Sequence, residues 1–287
     1  MIRCIYRIAG LMILIMAVGC RAAFDMAVYE DSLYDAYAGN GSARARAPLD
    51  QAILSSELVS ARIPPGVYAD QGMLIFLEGK HHEALERISK EEELYPETKL
   101  FVGRLHALIR KTDSEDKTVP LTQHHTPSIL VLPSINKSGK SEAATAFDVT
   151  VNRQLVERGY YVFPFLATRM LLKETRLPTE GISESELDAL KSLTGADALL
   201  LVTILQWEKP WMVLPLIRVA AEYRVIDLST GQDIWKSTVE GLYDPTVRGG
   251  FGGPVYLRAT DLRVPARALT RKAITASDNG LPLGPYH

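Results

Sequence analysis

The sequence predicts a helical domain followed by an α/β domain, and three observations carry that division. Apolar residues recur at helical spacing between residues 29 and 112. A polar stretch from Lys111 to Thr126 then breaks all periodicity. From Ser128 onward, short apolar runs ended by proline or glycine alternate with helical segments. The chain has 287 residues, enough for two small domains behind a leader. The expected boundaries are a signal peptide at 1–19, an anchor and tether at 20–28, a helical domain at 29–112, a linker at 113–126, an α/β domain at 127–275 and a tail at 276–287.

The leader comes first. Arg3 and Arg7 precede an uncharged, mostly apolar run from Ile8 to Val18. A transmembrane helix needs ~20 residues, so this run fits the apolar core of a secretory signal. Ala17-Val18-Gly19-Cys20 resembles a bacterial lipobox, in which the thiol is acylated and the peptide is cut before the cysteine. That resemblance implies a covalent lipid on Cys20. Ala17 departs from the more usual leucine. Cys4 would leave with the signal, so the mature chain has one cysteine and no disulfide. Arg21 is not the aspartate that retains enteric-type lipoproteins in the inner membrane. The expected location is therefore the outer membrane, on its periplasmic face.

Composition narrows the partners. The formal net charge is −2, or −4 without Arg3 and Arg7, and no block of five like charges occurs. No nucleic-acid partner is expected. Glu91 to Glu93 read as a solvated helix face.

In the helical domain, Tyr34 and Tyr37 lie on one face of a first helix, and Gly39-Asn40-Gly41-Ser42 ends it. Leu49, Ile53, Leu54 and Leu58 predict a second helix, closed by Pro64-Pro65-Gly66. Gly72, Gly79, Ala84 and Pro96 are spaced like the small residues and terminal proline of a single tetratricopeptide repeat. Leu74, Phe76, Leu77, Leu85 and Ile88 supply its apolar contacts. A third helix, Glu97 to Lys111, packs over the pair through Leu100, Phe101, Leu105 and Ile109.

In the α/β domain, Ile129 to Leu132 is a buried strand, and a helix follows to Arg158 with Gly159 as its C′ residue. Tyr160 to Phe163 is a second strand. Helices near Leu166–Lys173 and Glu184–Leu193 lead to a long strand, Ala198 to Leu205. Its continuous apolar run predicts cover on both faces. Val219 to Ile226 and Ile234 to Val239 form a hairpin about Asp227 to Gln232. A closing helix reaches Thr275, interrupted by Pro265.

Chemical motifs are sparse. Ser138-Gly139-Lys140-Ser141 sits where a phosphate-binding loop would, but Ser134 replaces the first glycine of that motif. The plain reading is a loop in which Asn136 and Ser138 bond backbone. His81-His82 and His124-His125 lack a third ligand at metal spacing. No nucleophile, base and orienting group can be named, and Glu208 has no paired carboxylate. The expectation is no enzyme, no cofactor and no metal. Trp207 and Trp211, flanking Pro210 at a strand connection, are the candidate partner interface.

Pro127 to Pro133 with Ile135-Asn136, Glu157 to Pro164, Gly195 to Ala198, and Asp227 to Gly231 with Trp235 resemble a family of uncharacterised bacterial lipoproteins that includes a meningococcal vaccine candidate. The resemblance covers about Pro127 to Glu240. It implies a small mixed sheet with helices on both faces, similar to periplasmic domains of the curli channel protein and of lipoprotein activators of peptidoglycan synthases. Tyr29 to Tyr34, Pro64-Pro65-Gly66 and Tyr95-Pro96-Glu97 resemble a second uncharacterised lipoprotein family. Both families are usually separate proteins encoded beside a curli-channel-like lipoprotein, so the chain looks like their fusion. The implied function is an accessory in envelope assembly or secretion, in complex with such a lipoprotein, with association with further copies of itself also expected. The alternative is a regulator of a peptidoglycan synthase. After Glu240 the chain departs from its relatives, with Arg258, Arg263, Arg267, Arg271 and Lys272 in place of a glycine-rich apolar end.

Overall fold

The computed structural model describes residues 24–110, 128–175, 184–209, 216–248 and 258–287. Five helices come first: α1 (Met26–Tyr37), α2 (Ser42–Leu58), α3 (Val67–Leu77), α4 (His81–Leu94) and α5 (Lys99–Arg110), with a 3-10 turn at Pro96–Thr98. Asp25 caps α1 by accepting from the Ala27 N–H at 2.9 Å. On α2 the buried stripe is Ala45, Leu49, Ile53 and Ser56. It is narrower than expected, for Leu54 is 56% and Leu58 78% exposed. Leu77 is also at the surface.

α3 is buried on every side from Val67 to Ile75, the signature of a central helix. It packs against α4 at close range. A Cβ on Gly72 would stand 2.5 Å from Ile88 Cγ1 and 3.0 Å from the Ala84 carbonyl. The small residues at 72 and 84 therefore set the approach of this helical hairpin.

The second part runs β1 (Ser128–Val131), β2 (Ile135–Asn136), α6 (Ser141–Glu157), β3 (Tyr161–Val162), α7 (Phe165–Thr175), α8 (Glu184–Thr194), β4 (Ala198–Glu208), β5 (Ile217–Asp227), β6 (Asp233–Tyr243), β7 (Thr246–Arg248), β8 (Arg258–Thr260) and α9 (Arg263–Ile274). The main sheet has the order β3-β1-β4-β5-β6, with β2 also paired to β4. Strands β1, β2 and β3 pair in parallel, whereas β4-β5 and β5-β6 are antiparallel. The sheet is thus mixed. Strands β7 and β8 form a separate pair.

Gly159 ends α6 at φ +92°. Its N–H donates to Val156 and the Tyr160 N–H to Leu155, which satisfies the last carbonyls of the helix. Pro265 does not interrupt α9, because it lies in the first turn, where the missing N–H has no partner to lose.

The two faces of the sheet differ. One is closed by α6 and α9 over Phe147, Leu155, Leu200, Val219, Tyr223 and Leu269. The other feeds a core that runs without interruption from Phe24 through α1–α5 to α7, α8 and Leu228. The helical layer and the α/β part therefore share apolar interior. Tyr161 and Phe163 meet Tyr95 and Phe101, with ring centroids 5.3 and 5.2 Å apart. Truncating such a buried aromatic costs about 3–5 kcal/mol. No described helix is long and apolar enough to cross a membrane.

The last residues lie across the junction. Gly284 and Tyr286 N–H groups donate to Arg158 and Gly159, and Leu281 is buried. Arg62 stacks between Tyr95 and Tyr286, 5.4 and 4.6 Å from the ring centroids.

Candidate functional site

The strongest concentration of buried polar groups lies where the helical layer meets β3 and α7. Asp70, in the first turn of α3, is 0% exposed. Its Oδ1 accepts the N–H groups of Leu166 and Ala167 at 2.9 and 3.0 Å, and its Oδ2 accepts the Phe165 N–H at 3.0 Å. These are N–H groups of the first turn of α7, which have no partner within their own helix. A carboxylate from one part of the chain thus caps a helix of the other, where the helix dipole favours negative charge. The Tyr29 hydroxyl donates a fourth bond to Oδ2 at 2.6 Å. Burial pushes the Asp70 carboxyl up to about 6, against the bonds from Tyr29, Ala167, Leu166 and Phe165.

Glu91 of α4 is also 0% exposed. Its Oε1 accepts the Gly66 N–H at 2.6 Å and the Tyr161 hydroxyl at 3.1 Å. Burial pushes its carboxyl up to about 7; the Gly66, Tyr161 and Ala69 bonds oppose this and the Asp70 charge adds to it. Gly66 has φ +85°, and a Cβ there would lie 3.0 Å from Pro164 Cα. The Pro64-Pro65-Gly66 turn is therefore pressed against the proline that precedes α7.

Two further carboxylates tie the same junction. Glu30 of α1 is buried and paired with Arg267 of α9, with Arg153 of α6 at 3.8 Å. Burial raises its carboxyl above the usual range, opposed by both arginines. Asp148 of α6 accepts the Ser134 N–H at 2.8 Å and pairs with Arg169 at 3.2 Å. The Arg169 guanidinium lies 4.6 Å from the Tyr37 ring centroid, which joins α7 to α1.

Strongly perturbed carboxylates often mark chemistry. Here the Asp70 oxygens are both engaged by N–H and O–H donors from other elements, which describes a structural clasp. Among the described residues, no three His, Cys, Asp or Glu side chains stand together as a metal site.

The residues singled out from sequence fare unevenly. Cys20 and Trp211 lie outside the described residues, as do Pro210, His124 and His125. Trp207 is not a surface residue: it is 1% exposed and meets Phe147 edge-on at 6.2 Å. A register shift between Ile204 and Gln206 turns it onto the α6–α9 face. Such a bulge flips the alternation that follows it. The Ser138-Gly139-Lys140 loop is closed by Asn136, whose Nδ2 donates to the Lys140 carbonyl and whose Oδ1 accepts from Ser138. Glu208 is exposed.

Sequence reasoning missed Asp70 and misplaced Glu91, which is not part of a solvated face. Its position three residues after Ile88 and seven after Ala84 was the available signal, since those two residues share its buried stripe.

The comparisons divide the chain at the same junction. Residues 119–244 match the family described as "Putative lipoprotein GNA1162-like", and residues 24–105 match "Domain of unknown function (DUF4810)". A curated relative, "Putative lipoprotein NMB1124/NMB1162" of Neisseria meningitidis serogroup B, is 27% identical over 113 residues. The match covers 39% of this chain and 53% of that protein, so the chain spans about half the length of this relative. Among solved structures, the lipoprotein GNA1162 from Neisseria meningitidis is 24% identical, with a TM-score of 0.37, over 40% of this chain and 82% of that one. The PelC dodecamer from Paraburkholderia phytofirmans is 14% identical, with a TM-score of 0.32, over 52% and 86%. The LpoB C-terminal domain from Escherichia coli is 16% identical, with a TM-score of 0.30, over 40% and 82%. Over its α/β part the chain thus matches the GNA1162-like lipoproteins, and over its helical part a domain of unknown function, the two joined by the carboxylate clasp.

Proposed function

We propose that this chain is a lipoprotein held by acylated Cys20, after removal of residues 1–19, in the periplasmic face of the outer membrane. It acts there as a non-enzymatic accessory in envelope assembly or secretion, in complex with a curli-channel-like lipoprotein. The match of residues 119–244 to a lipoprotein family supports the anchor.

One observation carries the accessory reading. The motifs that liken the chain to two families face each other across the clasp: Tyr29 and Gly66 on one side, Tyr161 and Pro164 on the other, with Asp70 and Glu91 between. The buried carboxylates that could have served catalysis hold the two parts together instead. The α3–α4 hairpin, read as one tetratricopeptide-like unit, serves as a wall of this body. The long β6 edge is the surface left for a partner or a second copy.

A crosslinked pull-down of the tagged, lipidated chain from outer membranes tests this reading. Enrichment of a channel-like lipoprotein is the expected result. Enrichment of a peptidoglycan synthase would replace it with the regulator reading, and turnover of an envelope substrate by the purified chain would overturn the non-enzymatic role.

A further inference from the structure

The basic residues of α9 are only partly used by the clasp. Arg263 is paired with Asp261 and Asp31, and Arg267 with Glu30. The others open onto a cleft of about 490 Å³ between α6 and α9, lined by Arg153, Glu157, Tyr243, Arg267, Arg271 and Lys272. Arg153 holds Glu157 at 2.7 Å. Lys272 donates to the Glu240 backbone carbonyl, and Arg271 makes no ion pair among the described residues. Four cations thus line the cleft with one carboxylate, and two of the four, Arg271 and Lys272, are exposed and have no carboxylate partner among the described residues.

The position of the cleft bears on its ligand. Asp25, the N-cap of α1, lies within electrostatic range of Arg153, and Glu30 one turn later is bonded to Arg267. Cys20 is five residues before Asp25, a reach of at most about 18 Å for extended chain. The cleft therefore opens near the end of the molecule that the anchor holds to the membrane. Guanidinium groups take phosphate oxygens in paired hydrogen bonds. Tyr243 and Val264 add an apolar wall suited to a glycerol backbone.

We propose that the α6–α9 cleft binds the phosphate headgroup of an anionic phospholipid in the membrane that carries the anchor. The inference rests on the anchored reading of Cys20. It adds a second, electrostatic attachment that turns the α6–α9 face toward the bilayer.

The test uses the chain from residue 21 onward, unacylated, which retains every residue of both cores. Flotation with phosphatidylcholine vesicles is compared with and without phosphatidylglycerol. Binding is expected only with phosphatidylglycerol, weakening as salt rises. The Arg271→Glu/Lys272→Glu variant should bind about tenfold more weakly or worse. A Lys137→Glu/Lys140→Glu variant, altered in the loop before α6, should bind like the parent. If the glutamate pair unfolds the chain, Arg271→Gln/Lys272→Gln gives the same comparison. Equal flotation on both vesicles, equal loss in the control variant, or binding of inorganic phosphate to the cleft with no flotation on phosphatidylglycerol vesicles would overturn the proposal. Acylation of Cys20 is read separately, from the mass of the N-terminal peptide of the membrane-extracted chain. An unlipidated peptide would sink the anchor reading, and the vesicle result would still decide whether the cleft binds headgroups.

Discussion

The two edges of the main sheet are treated in opposite ways. At β3 the side chains of Tyr161 and the following Phe163 are covered by Tyr95, Phe101 and Glu91 of the helical layer, with buried hydrogen bonds at Asp70 behind them. At β6 the eleven residues from Asp233 to Tyr243 end the sheet, and no described strand pairs with their outer side. The open face of β6 is laddered with charge, Lys236 to Glu222 at 2.9 Å and Asp233 to Arg224 at 2.9 Å, with Ile234 60% exposed at one end. Charged ladders are a common way of keeping a free edge from indiscriminate pairing. The lesson is that this chain invests its buried polar bonds in one edge and keeps the other solvated. Stability should therefore live at the β3 junction and association at the β6 side.

The sharpest way to break that contrast is at Asp70. Asp70→Ala would leave three helix N–H groups and the Tyr29 hydroxyl buried without acceptors. Stability should fall by about 3–5 kcal/mol in urea unfolding, since removing one partner of a buried charged network leaves the rest desolvated. A loss under about 1 kcal/mol would show that the clasp is incidental.

The pH profile comes next. The carboxyls of Glu91 and Asp70 are raised in the fold to about 7 and about 6, above their ordinary values. The folded state therefore holds protons that the unfolded state has released. Their contribution is fully present below about pH 4, declines as pH rises through 6 and 7, and is level above. The slope is on the order of 1 kcal/mol per pH unit for each group while it titrates. Glu91→Gln should flatten the part of the decline that ends near pH 7; an unchanged profile in that variant would assign the decline elsewhere.

A milder cut is Tyr161→Phe, which removes one bond to Glu91 and keeps the ring packing on Tyr95. A loss of about 1–2 kcal/mol is expected from thermal unfolding, in line with a hydrogen bond to a charged acceptor. The smallest effect on stability is expected at the other edge. Ile234→Lys should change it by no more than about 0.5 kcal/mol. The same variant should lower recovery of crosslinked partner if β6 is the association edge, and full recovery would move that role to another surface.

The local chemistry of this fold was legible in the residues. Gly159 announced the end of α6, Asp227 to Gln232 announced the β5–β6 turn, and Gly72 with Ala84 announced a close helical hairpin, because each depends on neighbours in sequence. What could not be read depends on distant partners. Glu91 looked solvated beside Glu92 and Glu93 until the helix turned it onto Gly66 and Tyr161. Trp207 was assigned to a surface connection because a one-residue bulge two positions earlier leaves no mark in composition. The clasp itself was invisible, since Asp70 meets donors 95 to 97 residues away.

That separation has a consequence for shuffling the two halves. A crossover placed anywhere in the polar stretch between the helical and α/β parts would inherit Asp70, Glu91 and Glu30 from one parent and Phe165, Tyr161 and Arg267 from the other. Chimeras between this chain and a relative should be viable only when the seam is exchanged as a matched set, so the two modules are free to diverge on their outer surfaces and bound to change in step where they touch.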